Sequence, residues 1–189
     1  MPQANRLPET RTLLIAATIV AALFSFWTYD HGRRAAVERR ASAAASLIAG
    51  RQVHVHCPGH MHRMFLKEIH EGSVRFNADG RPSDDTKLSG GACDGLRYAF
   101  DHGATMNLQC LAYHCPKELE QAAMGLVVLA HESVHLRGVM DEAKTECEAR
   151  THVVAVARQF GLTEIATKPL AYWQETDWAD MLADQYKGC

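Results

Sequence analysis

The feature that most constrains this chain is a polar motif set inside an apolar run. Residues 126–136 read LVVLAHESVHL, so the motif HESVH interrupts side chains that are typical of a buried helix. Burying His131, Glu132 and His135 without compensating partners would be costly. We therefore favour a metal site within a core helix over an ordinary amphipathic helix whose ionisable side chains face water.

The spacing of the two histidines predicts the chemistry of this site. Residues at i and i+4 lie on one face of a helix, so His131 and His135 can present two imidazole nitrogens to one ion. Glu132 cannot easily join them as a ligand, but it can accept a proton from a water that the ion activates. The H-E-x-x-H pattern therefore predicts a zinc site with Glu132 as general base. Three fixed residues are a short motif, and a chain with 11 histidines makes a chance match easier.

Boundary signals predict a helical hairpin around the motif. Pro116 and Gly138 delimit the first helix, and Asp141 is suited to cap a second helix that ends at Gly161. The connection between these helices is only about three residues long, so we expect them to pack antiparallel.

The rest of the chain predicts shorter elements. Polar and apolar residues alternate in two segments, 51–57 and 74–76, which predicts strands. Segments 84–88 and 94–100 are interpreted as short helices, and Thr176 is suited to cap a last helix. The fold class is therefore α+β and mostly helical, with a short sheet.

Residues 12–29 predict a membrane anchor. These eighteen residues carry no charge, and Trp27 and Tyr29 suit a membrane interface. A cleaved signal peptide is the alternative, but charged residues follow the segment where a small-residue cleavage site would be expected. We divide the chain into an N-terminal tail (1–11), a transmembrane signal anchor (12–29), a helical stalk (30–50) and one domain (51–189).

Charge and cysteines disagree on which side of the membrane this domain lies. Four arginines from Arg33 to Arg40 follow the span, which by the positive-inside rule would keep the domain cytoplasmic. All six cysteines also follow it, dispersed and without C-x-x-C spacing, as is typical of disulfides in an oxidising compartment. We favour a single-pass protein with an extracytoplasmic domain. In this domain Cys147 would tie the second helix of the hairpin to the region of Cys110 and Cys115.

The motif and the acidic helix after it resemble the gluzincin branch of the zincin metallopeptidases. In that branch a second helix carries E-x-x-x-D/E, which Glu142 and Glu146 match. The resemblance implies a zincin-like hairpin that acts on a peptide or protein substrate. It also implies that His131, His135 and Glu142 hold zinc, while Glu146 orients a ligand histidine. Small actinobacterial membrane-anchored proteins with HExxHLRG followed by DEAxTEC are similar as well. This chain departs from gluzincins in placing only six residues between His135 and Glu142.

A metzincin-like ligand set is the alternative. HESVHLRGVMD fits H-E-x-x-H-x-x-G-x-x-D, in which Gly138 makes the turn and Asp141 is the third ligand. However, no convincing methionine turn follows, and Asp141 is needed as a helix cap. Counting turns along the hairpin brackets the two histidines between Glu142 and Glu146. We therefore predict that Glu142 is the third ligand and that Glu146 contacts a ligand histidine. The alternative is that the two glutamates exchange these roles.

Other residues weigh less. The net charge of −2 gives no reason to expect a nucleic acid partner. A loose group of histidines suggests a second metal site, but we interpret it as surface histidines around a turn, and we assign Trp173 and Trp178 to the core. The histidines are His54, His56, His60, His62 and His70, and the possible oxyanion donors are Tyr98, His114, His152 and Tyr172.

Together these patterns predict a membrane-anchored zinc hydrolase that cleaves peptide bonds. The alternative is a non-catalytic domain, stabilised by zinc or by disulfides, that binds a partner.

Overall fold

We analysed a computed structural model of the chain, which describes residues 7–59 and 71–182. The chain divides into two compact units, one ending at Ala36 and one beginning at Val37. Three of the grouped histidines, His60, His62 and His70, lie outside the described residues.

Helices dominate the described residues, and a three-stranded sheet accompanies them, so the prediction of a mostly helical fold with a short sheet is confirmed. The sheet has the order β1-β3-β2, in which β1 is parallel and β2 antiparallel to the central strand. The strands are β1 (His54–His56), β2 (Gly72–Phe76) and β3 (Pro82–Leu88). The helices are α1 (Leu7–Ala49), α2 (Gly90–His102), α3 (Lys117–Arg137), α4 (Glu142–Gln159), α5 (Glu164–Trp173) and α6 (Ala179–Met181), with a π-helical turn (Gln174–Trp178) between the last two.

Helices α3 and α4 form the hairpin that the sequence predicts. Gly138 ends α3 with a φ of 111°, a left-handed conformation that favours glycine, and its N–H donates to the carbonyl of His135 at 2.8 Å. Asp141 caps α4 by accepting a hydrogen bond from the Lys144 N–H at 2.7 Å. The turn is therefore fixed from both sides.

The prediction of a helix over residues 84–88 is wrong, because this segment belongs to β3. Thr86 and Leu88 are buried, whereas Asp85 and Lys87 are exposed, which is the two-residue period of a strand. β3 pairs on both sides, and such pairing overrides a weak local preference.

The C-terminal region also differs from expectation. Its helical part begins at Glu164, well before Thr176, and Pro169 lies inside α5. Proline lacks an N–H and usually interrupts a helix, so the sequence did not predict this helix. Thr176 lies within the π-helical turn and caps no helix.

The second half of α1 belongs to the core of the C-terminal unit. The segment predicted as a stalk is helical, and from Val37 onward one of its faces is buried. The buried residues recur at helical spacing, as expected for an amphipathic helix that packs on a core. They are Val37, Ala41, Ala44, Ala45 and Ile48.

The same helix closes the outer edge of the sheet. Alternate backbone N–H groups along the β1 segment would otherwise be unpaired, and side chains four residues apart on α1 accept their hydrogen bonds. The Val53 N–H donates to Ser46 at 3.1 Å, the Val55 N–H to Ser42 at 2.9 Å and the Cys57 N–H to Glu38 at 2.9 Å.

Disulfides pair Cys57 with Cys93 and Cys110 with Cys115. No described cysteine is free. The expectation that Cys147 joins the region of Cys110 and Cys115 is wrong, because those two cysteines bond to each other. The first disulfide joins the end of β1 to α2, and the second closes the loop that precedes α3.

The N-terminal unit is helical wherever the structure describes it. From residue 12 the helix contains a stretch with a mean hydropathy of 1.8 and no buried residues, long and apolar enough to cross a membrane. A signal sequence meets the same criteria.

We expect that a chain beginning at Arg51 will be much less stable than one beginning at Gly32. The shorter chain loses the buried face of α1 and the three hydrogen bonds that close β1. That loss is about 5 kcal/mol or more, comparable with the whole stability of a typical domain. Thermal unfolding followed by circular dichroism, with size-exclusion chromatography, measures the difference. Equal melting temperatures would contradict this role of α1.

Candidate metal centre

The hairpin brings three possible metal ligands together. His131 and His135 lie one turn apart on α3, and Glu142 is the first residue of α4. The two histidine Nε2 atoms are 3.1 Å apart, and each lies 3.2 Å from Oε2 of Glu142. These three atoms form a nearly equilateral triangle. The group can hold a metal ion.

The size of this triangle fits a small tetrahedral ion. Bonds of about 2.0–2.1 Å at tetrahedral angles place neighbouring ligand atoms about 3.3 Å apart. The observed separations of 3.1–3.2 Å are close to this value. A cation at the centre would also offset the repulsion among lone pairs that converge on one point.

The other ring nitrogen of each histidine has its own partner. Nδ1 of His135 lies 2.7 Å from the carbonyl oxygen of Val139, and Nδ1 of His131 lies 3.1 Å from Oε2 of Glu146. With protons assigned to both Nδ1 atoms from these partners, the lone pairs lie on Nε2 and point toward Glu142. Such contacts fix the tautomer and ring orientation of metal-binding histidines.

Several carboxyl groups lie around His131 within the hairpin. Glu146 is only 1% exposed, and its Oε1 lies 3.8 Å from Nε of Arg150, one turn further along α4. Burial alone would lower the pKa of His131, but the hydrogen bond with Glu146 and the charges of Glu132 and Glu142 outweigh it and raise that pKa. The site therefore has an excess of negative charge, which favours a cation.

Glu132 lies beside the ligands but takes no part in the triangle. Its side chain is almost fully buried, and its Oε2 accepts a long hydrogen bond of 3.4 Å from the hydroxyl of Thr86 on β3. Burial raises the pKa of this carboxyl group to about 7. A carboxyl group with such a pKa can both accept and release a proton near neutral pH, as a general base requires.

Gly72 on β2 makes room for this carboxyl group. A Cβ atom at residue 72 would lie 2.5 Å from Oε1 of Glu132 and 2.6 Å from its Cδ, which is too close. The strand and the carboxyl group can approach each other only because residue 72 has no side chain. Gly72 thus leaves the space that the Glu132 carboxyl group occupies.

The three possible ligands and Glu132 line one cavity of about 640 Å³. Val128 of α3 contributes to its wall. β2, the hairpin and the C-terminal π-helical turn contribute the rest. The lining residues are Glu71, Gly72, Ser73, Val74, Phe76, Val128, His131, Glu132, His135, Met140, Glu142, Glu146, Trp178 and Leu182.

Other residues singled out in the sequence lie elsewhere. Asp141 is the α4 cap and does not line the cavity, and none of the four possible oxyanion donors lines it. His54 and His56 are exposed, and His56 pairs with Asp85 at 2.8 Å, as fits surface histidines.

The sequence patterns did not identify three residues that line this cavity or contact Glu132. Gly72 carries no sequence signal because its role depends on an approach between β2 and α3. Thr86 was not identified because its segment was predicted to be a helix and not a strand. Trp178, assigned to the core, is partly buried and lines the cavity.

Comparisons of the chain with models of protein families, with curated proteins and with solved structures find no match.

We expect that Gly72→Ala will destabilise the protein by about 1–3 kcal/mol, because the new methyl group overlaps the Glu132 carboxyl group. In a Glu132→Ala background most of this cost should disappear. Chemical denaturation of the wild type, the two single variants and the double variant measures the coupling.

Ser73→Ala, at the exposed neighbouring position, is the matched control and should cost little in either background. An equal cost of Gly72→Ala with and without the Glu132 side chain would show that the two residues do not interact.

Proposed function

We propose that this chain is a zinc-dependent hydrolase, a metallopeptidase in which His131, His135 and Glu142 hold the ion. The observation that carries the proposal is the triangle of ligand atoms with edges of 3.1–3.2 Å, beside a buried carboxyl group. Imidazole and carboxylate ligands suit zinc, and catalytic zinc sites use three protein ligands and leave one position open. The zincin resemblance of HESVH points to the same ion.

Glu132 is the general base of the proposed reaction. Zinc, when bound, supplies a Lewis acid that makes a water acidic and polarises the carbonyl group of the substrate. Glu132 accepts a proton as the water oxygen bonds to the carbonyl carbon. It then delivers that proton to the leaving nitrogen as the C–N bond breaks.

The sheet edge beside the cavity supports a peptide substrate. Within the described residues β2 pairs only with β3, so its outer edge has backbone groups that an extended peptide can pair with. Gly72, Ser73, Val74 and Phe76 of this strand line the same cavity as Glu132. A peptide added to β2 would therefore pass next to the ligands.

The N-terminal helix and the disulfides support a location for the domain. We infer that the apolar helix anchors the chain in a membrane as a single span. Disulfides persist in oxidising compartments, and Cys57–Cys93 and Cys110–Cys115 both form. These bonds favour an extracytoplasmic domain over the orientation that the arginines suggest.

We expect that Glu132→Gln will retain zinc and the fold but lose hydrolysis by about 10²–10⁴-fold, the usual contribution of general acid–base catalysis. Amide and carboxyl groups have nearly the same shape, so the ligand triangle should remain intact. Turnover of a quenched-fluorescent peptide library and bound zinc, measured by atomic absorption, provide the two readouts.

Glu118→Gln, at an exposed site in the first turn of α3, is the control and should behave as the wild type. Full turnover by zinc-loaded Glu132→Gln would remove Glu132 from the mechanism. A wild type that binds zinc but cleaves no peptide would favour the alternative of a zinc-stabilised binding domain.

We also expect that Glu142→Ala will weaken zinc binding by more than about 100-fold, whereas Asp141→Ala will change it little. Oε2 of Glu142 is one corner of the triangle, whereas Asp141 caps α4. Loss of the Asp141 side chain should therefore lower the free energy of unfolding by about 1 kcal/mol. Zinc titration by calorimetry ranks the two variants. The reverse ranking would assign the third ligand to Asp141, as in the metzincin-like alternative.

A further inference from the structure

Six apolar residues line the cavity, and no step of the proposed reaction uses them. We call them the apolar wall, and they come from β2, α3, the turn after α3, the π-helical turn and the residue after α6. They are Val74, Phe76, Val128, Met140, Trp178 and Leu182. Phe76 lies edge-on against the ring of the ligand His135, with centroids 6.2 Å apart, so the apolar wall adjoins the metal centre directly.

Trp178 reaches this wall because of an irregularity in the backbone. Residues five apart lie on different sides of an α-helix, but a π-helical turn places them nearly above one another. Trp173 directly precedes such a turn and Trp178 is its last residue, and their ring centroids are only 5.6 Å apart. Trp173 is buried in the core and Trp178 lines the cavity.

The π-helical turn begins at a buried polar side chain that destabilises the protein. Gln174, its first residue, is fully buried, and neither its Oε1 nor its Nε2 has a hydrogen-bond partner within the described parts of the chain. A buried amide without partners is destabilising, and such groups call for an explanation beyond packing. The turn that brings Trp178 to the cavity holds a second such group, because Nε1 of Trp178 is also buried without a hydrogen-bond partner among the described residues.

Met140 gives the wall an adaptable rim. It lies in the turn between α3 and α4 and is 57% exposed while lining the cavity. An unbranched thioether side chain can fit apolar groups of different shapes. A side chain that enters the cavity therefore meets a fixed aromatic surface and a flexible one.

The charges of the cavity exclude acidic groups. Its described lining contains four glutamates, Glu71, Glu132, Glu142 and Glu146, and neither lysine nor arginine. An acidic side chain would be repelled by these carboxylates and would lose water without gaining a partner.

We propose that this wall, built around Trp178 and Met140, is a subsite for a bulky apolar side chain, so that the substrates are peptides with such a residue next to the cleaved bond. The inference rests on the proposed metal-dependent hydrolysis and adds the class of substrate.

Hydroxamates that coordinate the ion test this subsite without any turnover. The full-length chain, zinc-loaded in detergent micelles, is titrated by calorimetry with acetohydroxamate, with 4-methylpentanohydroxamate and with glutaric acid monohydroxamate. The second and third probes have similar lengths but apolar and acidic ends. The apolar probe should bind about 10- to 30-fold more tightly than acetohydroxamate, as expected for burying an isobutyl group, and the acidic probe should gain nothing.

Trp178→Ala should remove most of the preference for the apolar probe and leave the affinity for acetohydroxamate within about twofold. Trp178→Leu and Met140→Ala should reduce the preference in part, and they carry the test if Trp178→Ala does not fold. Tyr172→Ala, at an exposed position outside the cavity, is the control.

Two results overturn the subsite and are distinguishable. If acetohydroxamate binds but the apolar probe binds no better, or if every folded Trp178 and Met140 variant keeps the full preference, the subsite is wrong and the metal centre stands. If no hydroxamate binds the zinc-loaded protein, the proposed function fails and the subsite fails with it.

Discussion

The left-handed turn at Gly138 is the constraint on which the candidate metal centre depends. It reverses the chain so sharply that the last turn of α3 faces the first turn of α4. The carbonyl of Val139, one residue beyond, orients the ring of His135, and Asp141 fixes the start of the helix that carries Glu142. A longer connection would hold none of these groups as firmly, so a few residues of turn set both the ligands and their orientation.

Burial of ionisable groups is the second theme of the hairpin. Glu132, His135 and Glu146 are all buried on facing helices, an arrangement that would destabilise a core unless each charge has a partner. These charges are only partly compensated: His131 contacts Glu146, whose other oxygen lies 3.8 Å from Nε of Arg150, and Glu132 accepts a long hydrogen bond from Thr86. Natural cores rarely hold so many charges for stability alone, and perturbed groups cluster at functional sites.

The sequence predicted the parts of the molecule that local signals determine. Proline, glycine and a capping aspartate mark the ends of α3 and α4, and helical periodicity places Glu142 opposite His131. It could not predict β3, because pairing on two sides decides that strand, nor Gly72, because its role exists only once β2 lies against α3. The alanine-rich part of α1 suggested a helical stalk because small residues give little sign of the surface against which they pack.

Closure of the β1 edge by α1 has a consequence for self-association. With that edge covered by Glu38, Ser42 and Ser46, β2 is the edge among the described strands through which two copies of this domain could pair their sheets. The same strand lines the cavity of Glu132, so a strand-paired dimer and a bound peptide would compete for one edge. In the membrane-anchored hydrolase that we propose, such pairing would limit turnover by mass action.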